Sequence, residues 1–115
     1  MEQLPFFIEK KRELAARYIE FFKNTNLQFF VEPLDSKSNY WLNVLIMKDR
    51  NQRDEFLNFT NKNGVMTRPI WELMNRLPMF SHCECANLDN AYWFADRVVN
   101  LPSSVIIPGY RKDLK

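Results

Sequence analysis

The chain holds only two glycines, Gly64 and Gly109, one histidine, His82, and two cysteines, Cys83 and Cys85. Each scarcity removes a class of chemistry. Two isolated glycines cannot build a glycine-rich loop that cradles a phosphate on backbone N–H groups. His82, Cys83 and Cys85 lie together in a His-Cys-Glu-Cys run. Zinc, however, takes its ligands in spaced pairs, with a second pair elsewhere in the chain, and this chain has no second pair. Thiols so close in sequence are poor partners for each other in a disulfide, so both are expected to be reduced. No serine or cysteine is recognisably paired with His82 for nucleophilic attack. No apolar run approaches the roughly 18 residues of a membrane span. The first residues, MEQLPFFIEKKREL, lack the pattern of a signal peptide, which makes the cytoplasm the default location. A formal charge of +2 argues against a dedicated nucleic-acid binder.

What the chain does have is rings. Ten phenylalanines in 115 residues predict a core rich in large aromatic side chains. The length suits one domain with a modest core, and 46% apolar with 26% charged residues is ordinary globular composition.

The most distinctive stretch is GVMTRPIWELMNRLPMF, Gly64 to Phe80. A residue before proline is driven to extended geometry, so Arg68 is expected outside any helix, on a stiff backbone with Trp71 close by. A planar guanidinium held in this way suits a phosphate or carboxylate, and it equally suits a buried structural ion pair.

Along the chain, Leu4, Phe7, Ile8, Leu14, Tyr18, Phe21 and Phe22 recur at helical spacing and predict a helix over 4–23. Pro5 is acceptable there only in the first turn. The basic cluster around Lys11 is expected to be a solvated face, with anion binding as the alternative. Leu27 to Glu32 reads as a short strand, and Tyr40 to Lys48 as the central one, with Tyr40 and Trp41 in the core. Asp49 and Asn51 are candidate caps for a helix running to about Lys62, and Gly64 is placed for a left-handed cap. Val65 to Thr67 is expected to be an extended arm delivering Arg68 and Pro69, followed by a helical turn over 71–76 that stops at Pro78. Residues 81–86 read as loop. A last helix opens at Asn87 and carries Ala91, Ala95, Val98 and Val99 before Asn100 to Ser104 ends it. The expected fold is α+β: a small antiparallel sheet of about three strands covered by helices. Residues 1–104 form the domain and 105–115 a tail. The aspartates fit turns, caps or surface, and none of the eight lysines is marked as a nucleophile.

Five segments in order resemble one family over nearly the whole length. They are KKRELAARY (Lys10–Tyr18), SNYWLNVLI (Ser38–Ile46), GVMTRPIW (Gly64–Trp71), LPMF (Leu77–Phe80) and NLDNAYWFADRVVNLPSS (Asn87–Ser104). Together they resemble the C-terminal small domains of DegT-type nucleotide-sugar aminotransferases, nearest the LegC-like branch of the legionaminic acid and related pathways. The resemblance implies the small domain of a fold-type I aminotransferase. Such an enzyme uses pyridoxal phosphate to move an amino group from glutamate to a nucleotide-linked keto-sugar. It implies that the Schiff-base lysine and most cofactor ligands belong to an N-terminal large domain outside this chain, and that the chain alone is inactive. The abrupt start at Met1 fits a helix that continues upstream in relatives. A homodimer is implied for the full enzyme, with no nucleic-acid or membrane partner.

For site residues the resemblance implies Arg68, Trp71 and Asn75 as substrate-binding. Arg68 would take the donor carboxylate or a nucleotide phosphate, and Trp71 would pack on sugar or base. The ordinary expectation for Trp71 is nevertheless the core. Asn75 stands where many members carry histidine. Phe6, Phe7 and Val105 to Ile107 are the expected docking face for the large domain. The alternative function is a free-standing interaction or regulatory module derived from such a domain, which would show no apolar patch.

Overall fold

A computed structural model describes residues 2–105 and residue 107, so most of the segment assigned to the tail lies outside the described residues. The element order is α1 (Leu4–Phe22), β1 (Gln28–Phe29), β2 (Asn43–Ile46), α2 (Arg50–Lys62), β3 (Arg68–Pro69), two 3-10 turns (Met74–Arg76 and Pro78–Phe80), α3 (Asp89–Ala95) and β4 (Val98–Leu101). Four strands form one sheet in the order β1-β2-β4-β3, antiparallel throughout. The α+β expectation holds, with one strand more than the sequence suggested.

α1 begins as proline demands: Pro5 sits in the first turn, where its missing N–H costs nothing, and Gln3 ahead of it makes no side-chain cap. α2 starts at Asp49, whose Oδ1 accepts from the Gln52 backbone N–H at 2.8 Å. The two helices lie on the same side of the sheet. Tyr18 and Phe22 of α1, and Phe56 and Leu57 of α2, pack on a buried cluster of Leu45, Met47, Val99 and Leu101. The register explains that cluster. Leu45 faces Val99 across β2 and β4, and period-2 alternation carries Asn43, Met47 and Leu101 to the same side. Val44, Ile46, Val98 and Asn100 therefore point to the opposite face.

Four expectations are corrected. Val98 and Val99 do not continue the last helix. α3 ends at Ala95, and after the turn at Asp96 and Arg97 the chain runs back as β4, the partner of both β2 and β3. The helical turn expected over 71–76 covers only Met74–Arg76; it ends ahead of Pro78, and Pro78 begins a second 3-10 turn. Trp41 is not core: its neighbour Tyr40 is buried at 8% exposure, whereas Trp41 is 65% exposed. The basic cluster of α1 is not merely a solvated face. Lys11 Nζ donates to the carbonyls of Trp41 and Ser103, and Arg12 forms a two-pronged ion pair with Glu32 at 2.7 and 2.9 Å. These cations tie α1 to the segments flanking β1, β2 and β4.

The Glu32 carboxylate also accepts the Ser38 backbone N–H. The Arg12 hydrogen bonds, then that N–H, hold its pKa down from the ordinary 4.5 to about 2. A depressed carboxyl contributes stability above its unfolded pKa and loses it as it takes up a proton. Glu32→Gln is therefore expected to destabilise the chain at neutral pH. Urea titrations should show that difference shrinking as pH falls from 4.5 towards 2. Leu45→Ala, at a fully buried position, should cost about 2–5 kcal/mol in the same assay at any pH.

Candidate functional site

The site is built outward from the end of α2. Gly64 adopts φ +78°, with its N–H bonded to the Asn61 carbonyl and the Val65 N–H bonded to the Thr60 carbonyl. This is a Schellman closure, and glycine enters the left-handed region at little steric cost. The chain then turns back along α2. Buried Thr67 is anchored there by a 2.6 Å bond between its hydroxyl and that of Thr60, while Asn61 Nδ2 donates to the Thr67 carbonyl and hydroxyl. The residue after this anchor is Arg68. Its pairing with Asn100 fixes the strand register, and Asn100 Nδ2 donates to the Pro69 carbonyl at 3.3 Å.

Residues directly opposite in a ladder share a face, so Arg68 and Asn100 lie on the side away from α1 and α2. Arg68 is exposed. Its nearest polar partner is the Met66 sulfur at 3.7 Å, and among the described residues no carboxylate pairs with it. The structural ion pair that the sequence allowed is therefore not formed within the described chain. Arg68 and Trp71 line one cleft of about 390 Å³ with Leu42, Met66, Asn100 and Pro102, in which Arg68 is the only charged lining residue among the described residues. A guanidinium alone in a cleft suits an anion, with five donors in a planar fork.

Trp71 is 65% exposed, which corrects the expectation that it would be core. Instead it stacks on Trp41, with centroids 6.1 Å apart and planes 29° from parallel. Sequence reading missed Trp41 as a member of this cluster. No local pattern signalled it: Tyr40 adopts φ +46° and the chain bends at 41–42 before β2 begins, so Tyr40 turns inward and Trp41 outward in a segment that reads as strand. Asn75 does not join Arg68 and Trp71. It borders a separate apolar groove of about 300 Å³ with Met74, Phe80, Cys83 and Leu88, and its Nδ2 donates to the Tyr92 hydroxyl at 2.6 Å. Cys83 and Cys85 are free and exposed.

These elements can be set beside known proteins. A family model described as the DegT/DnrJ/EryC1/StrS aminotransferase family matches residues 1–109. The chain belongs to that family. Among relatives of this DegT-family chain, GDP-perosamine synthase of Vibrio cholerae is 28% identical over 108 residues, covering 90% of this chain and 29% of that protein. GDP-perosamine synthase of Escherichia coli O157:H7 is 30% identical over 107 residues, covering 90% and 28%. The chain thus spans under a third of the curated relatives it matches. Its fold is shared with solved aminotransferases. The aminotransferase TlmJ of Streptoalloteichus hindustanus superposes with TM-score 0.79 at 24% identity, over 89% of this chain and 28% of that one. Helicobacter pylori PseC, an aminotransferase involved in the biosynthesis of pseudoaminic acid, gives 0.78 at 21%, over 88% and 28%.

Two substitutions test this geometry. Gly64→Ala meets no atom within 4 Å of its new Cβ, so its cost is backbone strain alone. It should destabilise by about 1 kcal/mol, with Gly64→Asn costing less. Arg68→Ala should change stability by no more than about 0.5 kcal/mol, as expected of an exposed unpaired side chain. A larger loss in thermal or urea unfolding would show that Arg68 is a structural residue after all.

Proposed function

We propose that this chain is the small C-terminal domain of a pyridoxal-phosphate-dependent aminotransferase. The full enzyme would transfer an amino group from glutamate to a nucleotide-linked keto-sugar, in the making of legionaminic acid or a related cell-surface sugar. The observation that carries the reading is the family match over residues 1–109, by a chain that spans only 28–29% of its curated relatives. Residues 1–104 are the domain and 105–115 its tail.

The described residues do not by themselves fit the cofactor, which needs a lysine amine presented in a pocket. Lys10 pairs with Glu13, Lys11 is held by backbone carbonyls, Lys23 lies beside Glu20, and Lys37, Lys48 and Lys62 are exposed. None of these lines the clefts around Arg68 or Asn75. The proposal therefore assigns the cofactor and its lysine to the N-terminal large domain, and this domain alone is inactive. The full enzyme is a cytoplasmic homodimer in this reading. No helix among the described residues is long and apolar enough to cross a membrane.

The part this chain plays is recognition. Arg68 receives a carboxylate of the amino donor or a phosphate of the nucleotide, held in register by Thr67 and Asn100. Trp71, backed by Trp41, offers an aromatic face to the sugar or base, and Asn75 contributes from its own separate groove, where its amide is held by Tyr92. Large exposed rings at Phe30, Trp71, Trp93 and Phe94 favour a domain that docks over a self-contained module.

Charge-assisted hydrogen bonds are worth about 1.5–3 kcal/mol, so Arg68→Ala in the full-length enzyme should lower kcat/KM about 10- to 100-fold. Arg68→Lys should recover only part of that loss, because an ammonium cannot reproduce the planar fork. Steady-state transamination with glutamate and a nucleotide keto-sugar is the measurement. An unchanged kcat/KM for both substrates would remove Arg68 from the site.

A further inference from the structure

Helices α1 and α2 cover one face of the sheet. The other face carries Leu42, Val44, Ile46 and Val98, and these floor a groove of about 280 Å³ walled by Phe30, Trp71 and Phe94; Ile46 and Val98 are already buried beneath those walls, while Leu42 and Val44 are half-buried. Among the described residues no charged side chain lines it, and its one polar side chain, Asn100, already donates to the Pro69 carbonyl. This composition refuses a charged ligand and accepts apolar side chains. Phe30 is 50% exposed, Trp71 65% and Phe94 38%, which is unusual for three large rings gathered at one sheet face.

The whole molecule has the same imbalance. Among the described residues, nine apolar side chains are buried while seventeen large ones are exposed. The radius of gyration is 16.7 Å, whereas a compact chain of this length has about 13 Å. The chain holds less of its apolar surface inside than an independent domain of its size.

We infer that this half-covered sheet face, with its exposed ring walls, is the docking surface for the remainder of a longer polypeptide. The inference rests on the reading of the chain as one domain of a larger enzyme, and it names which surface the rest of that enzyme covers. The occupant follows from length. Nine-tenths of this chain matches each curated relative, yet the match is 28–29% of the relative, leaving 71–72% of that polypeptide beyond it. The expected docking residues at the start of α1 differ in their surroundings: Lys10 lies over the Phe6 ring and the cleft there is lined by Glu2 and Gln3 besides Leu4 and Phe7, so that surface is polar in part. The groove walls enclose empty space.

Hydroxyl-radical footprinting of the native gene product, purified from its source cells, tests this directly. Phe59, 67% exposed on α2, is the internal reference, because ring chemistry is then constant. Phe30 and Phe94 should label several-fold more slowly than Phe59, in a product whose intact mass is well above 13.9 kDa. Labelling in proportion to their exposure in the isolated chain would overturn the inference. So would a product of 13.9 kDa whose groove is protected, because the cover would then be a second copy, visible as a doubled mass in light scattering. Failure here is separable from failure of the catalytic reading. A product that transaminates while Phe30 and Phe94 label freely sinks the docking face alone. A heavy product with both rings protected and no transamination sinks the activity and leaves the docking face standing.

Discussion

The pairing of β2 with β4 is the constraint on which everything else in this chain depends. The two strands lie far apart in sequence, yet Leu45 and Val99, both with no exposed surface, meet side by side at the centre of the sheet. That single register assigns every side chain in the sheet to a face. Leu45, Met47, Val99 and Leu101 go to the helices, and Val44, Ile46, Val98 and Asn100 go to the open side. A slip of one residue would exchange the two sets. β3 contributes only Arg68 and Pro69 and, among the described residues, pairs with no strand but β4, so the position of the guanidinium is inherited from the same register.

The features legible in the sequence were those whose physics is local. Pro5 in a first turn, Asp49 ahead of α2 and Gly64 after it each act within a few residues, and each sits where its chemistry requires. β4 was not legible because Ala91, Ala95 and Val98 happen to fall at helical spacing, so the last helix seemed to run on. What stops α3 is not in that pattern. The Arg97 side chain reaches the carbonyls of Lys48 and Trp93 and lies 4.5 Å over the Trp93 ring, while its own carbonyl accepts from Met47. The contacts to Trp93 are local, but those to Met47 and Lys48 reach the end of β2, which no window along residues 87–104 contains. The Val-Val-Asn-Leu run before Pro102 has the branched content of a strand, but four residues are too few for periodicity to decide.

The same division holds at the site. The extended geometry of Arg68 could be read from Pro69, because the steric effect of proline acts on its neighbour. Whether a carboxylate met the guanidinium could not be read, because pairing is set by tertiary contacts. The acidic partners that the chain does place beside arginines serve others: Glu32 pairs with Arg12, Asp54 with Arg53 and Glu72 with Arg76. Trp41 and Trp71 misled in a similar way. Tryptophan is usually well buried, and here two of them satisfy part of that tendency by stacking on each other in the open.

Trp71 also joins the two proposals physically. It borders both the cleft that holds Arg68 and the apolar groove, as do Leu42 and Asn100. An exposed guanidinium in salt water holds an anion weakly, because water and counterions screen it. Covering the groove removes water from one wall of the Arg68 cleft and fixes the Trp71 ring that separates the two. A lower local dielectric then strengthens every hydrogen bond between Arg68 and a bound carboxylate or phosphate. On this argument the anion site is only half made within these 115 residues. The guanidinium, its register and its aromatic neighbour are supplied here, and the dry wall that gives them strength comes from whatever closes the sheet.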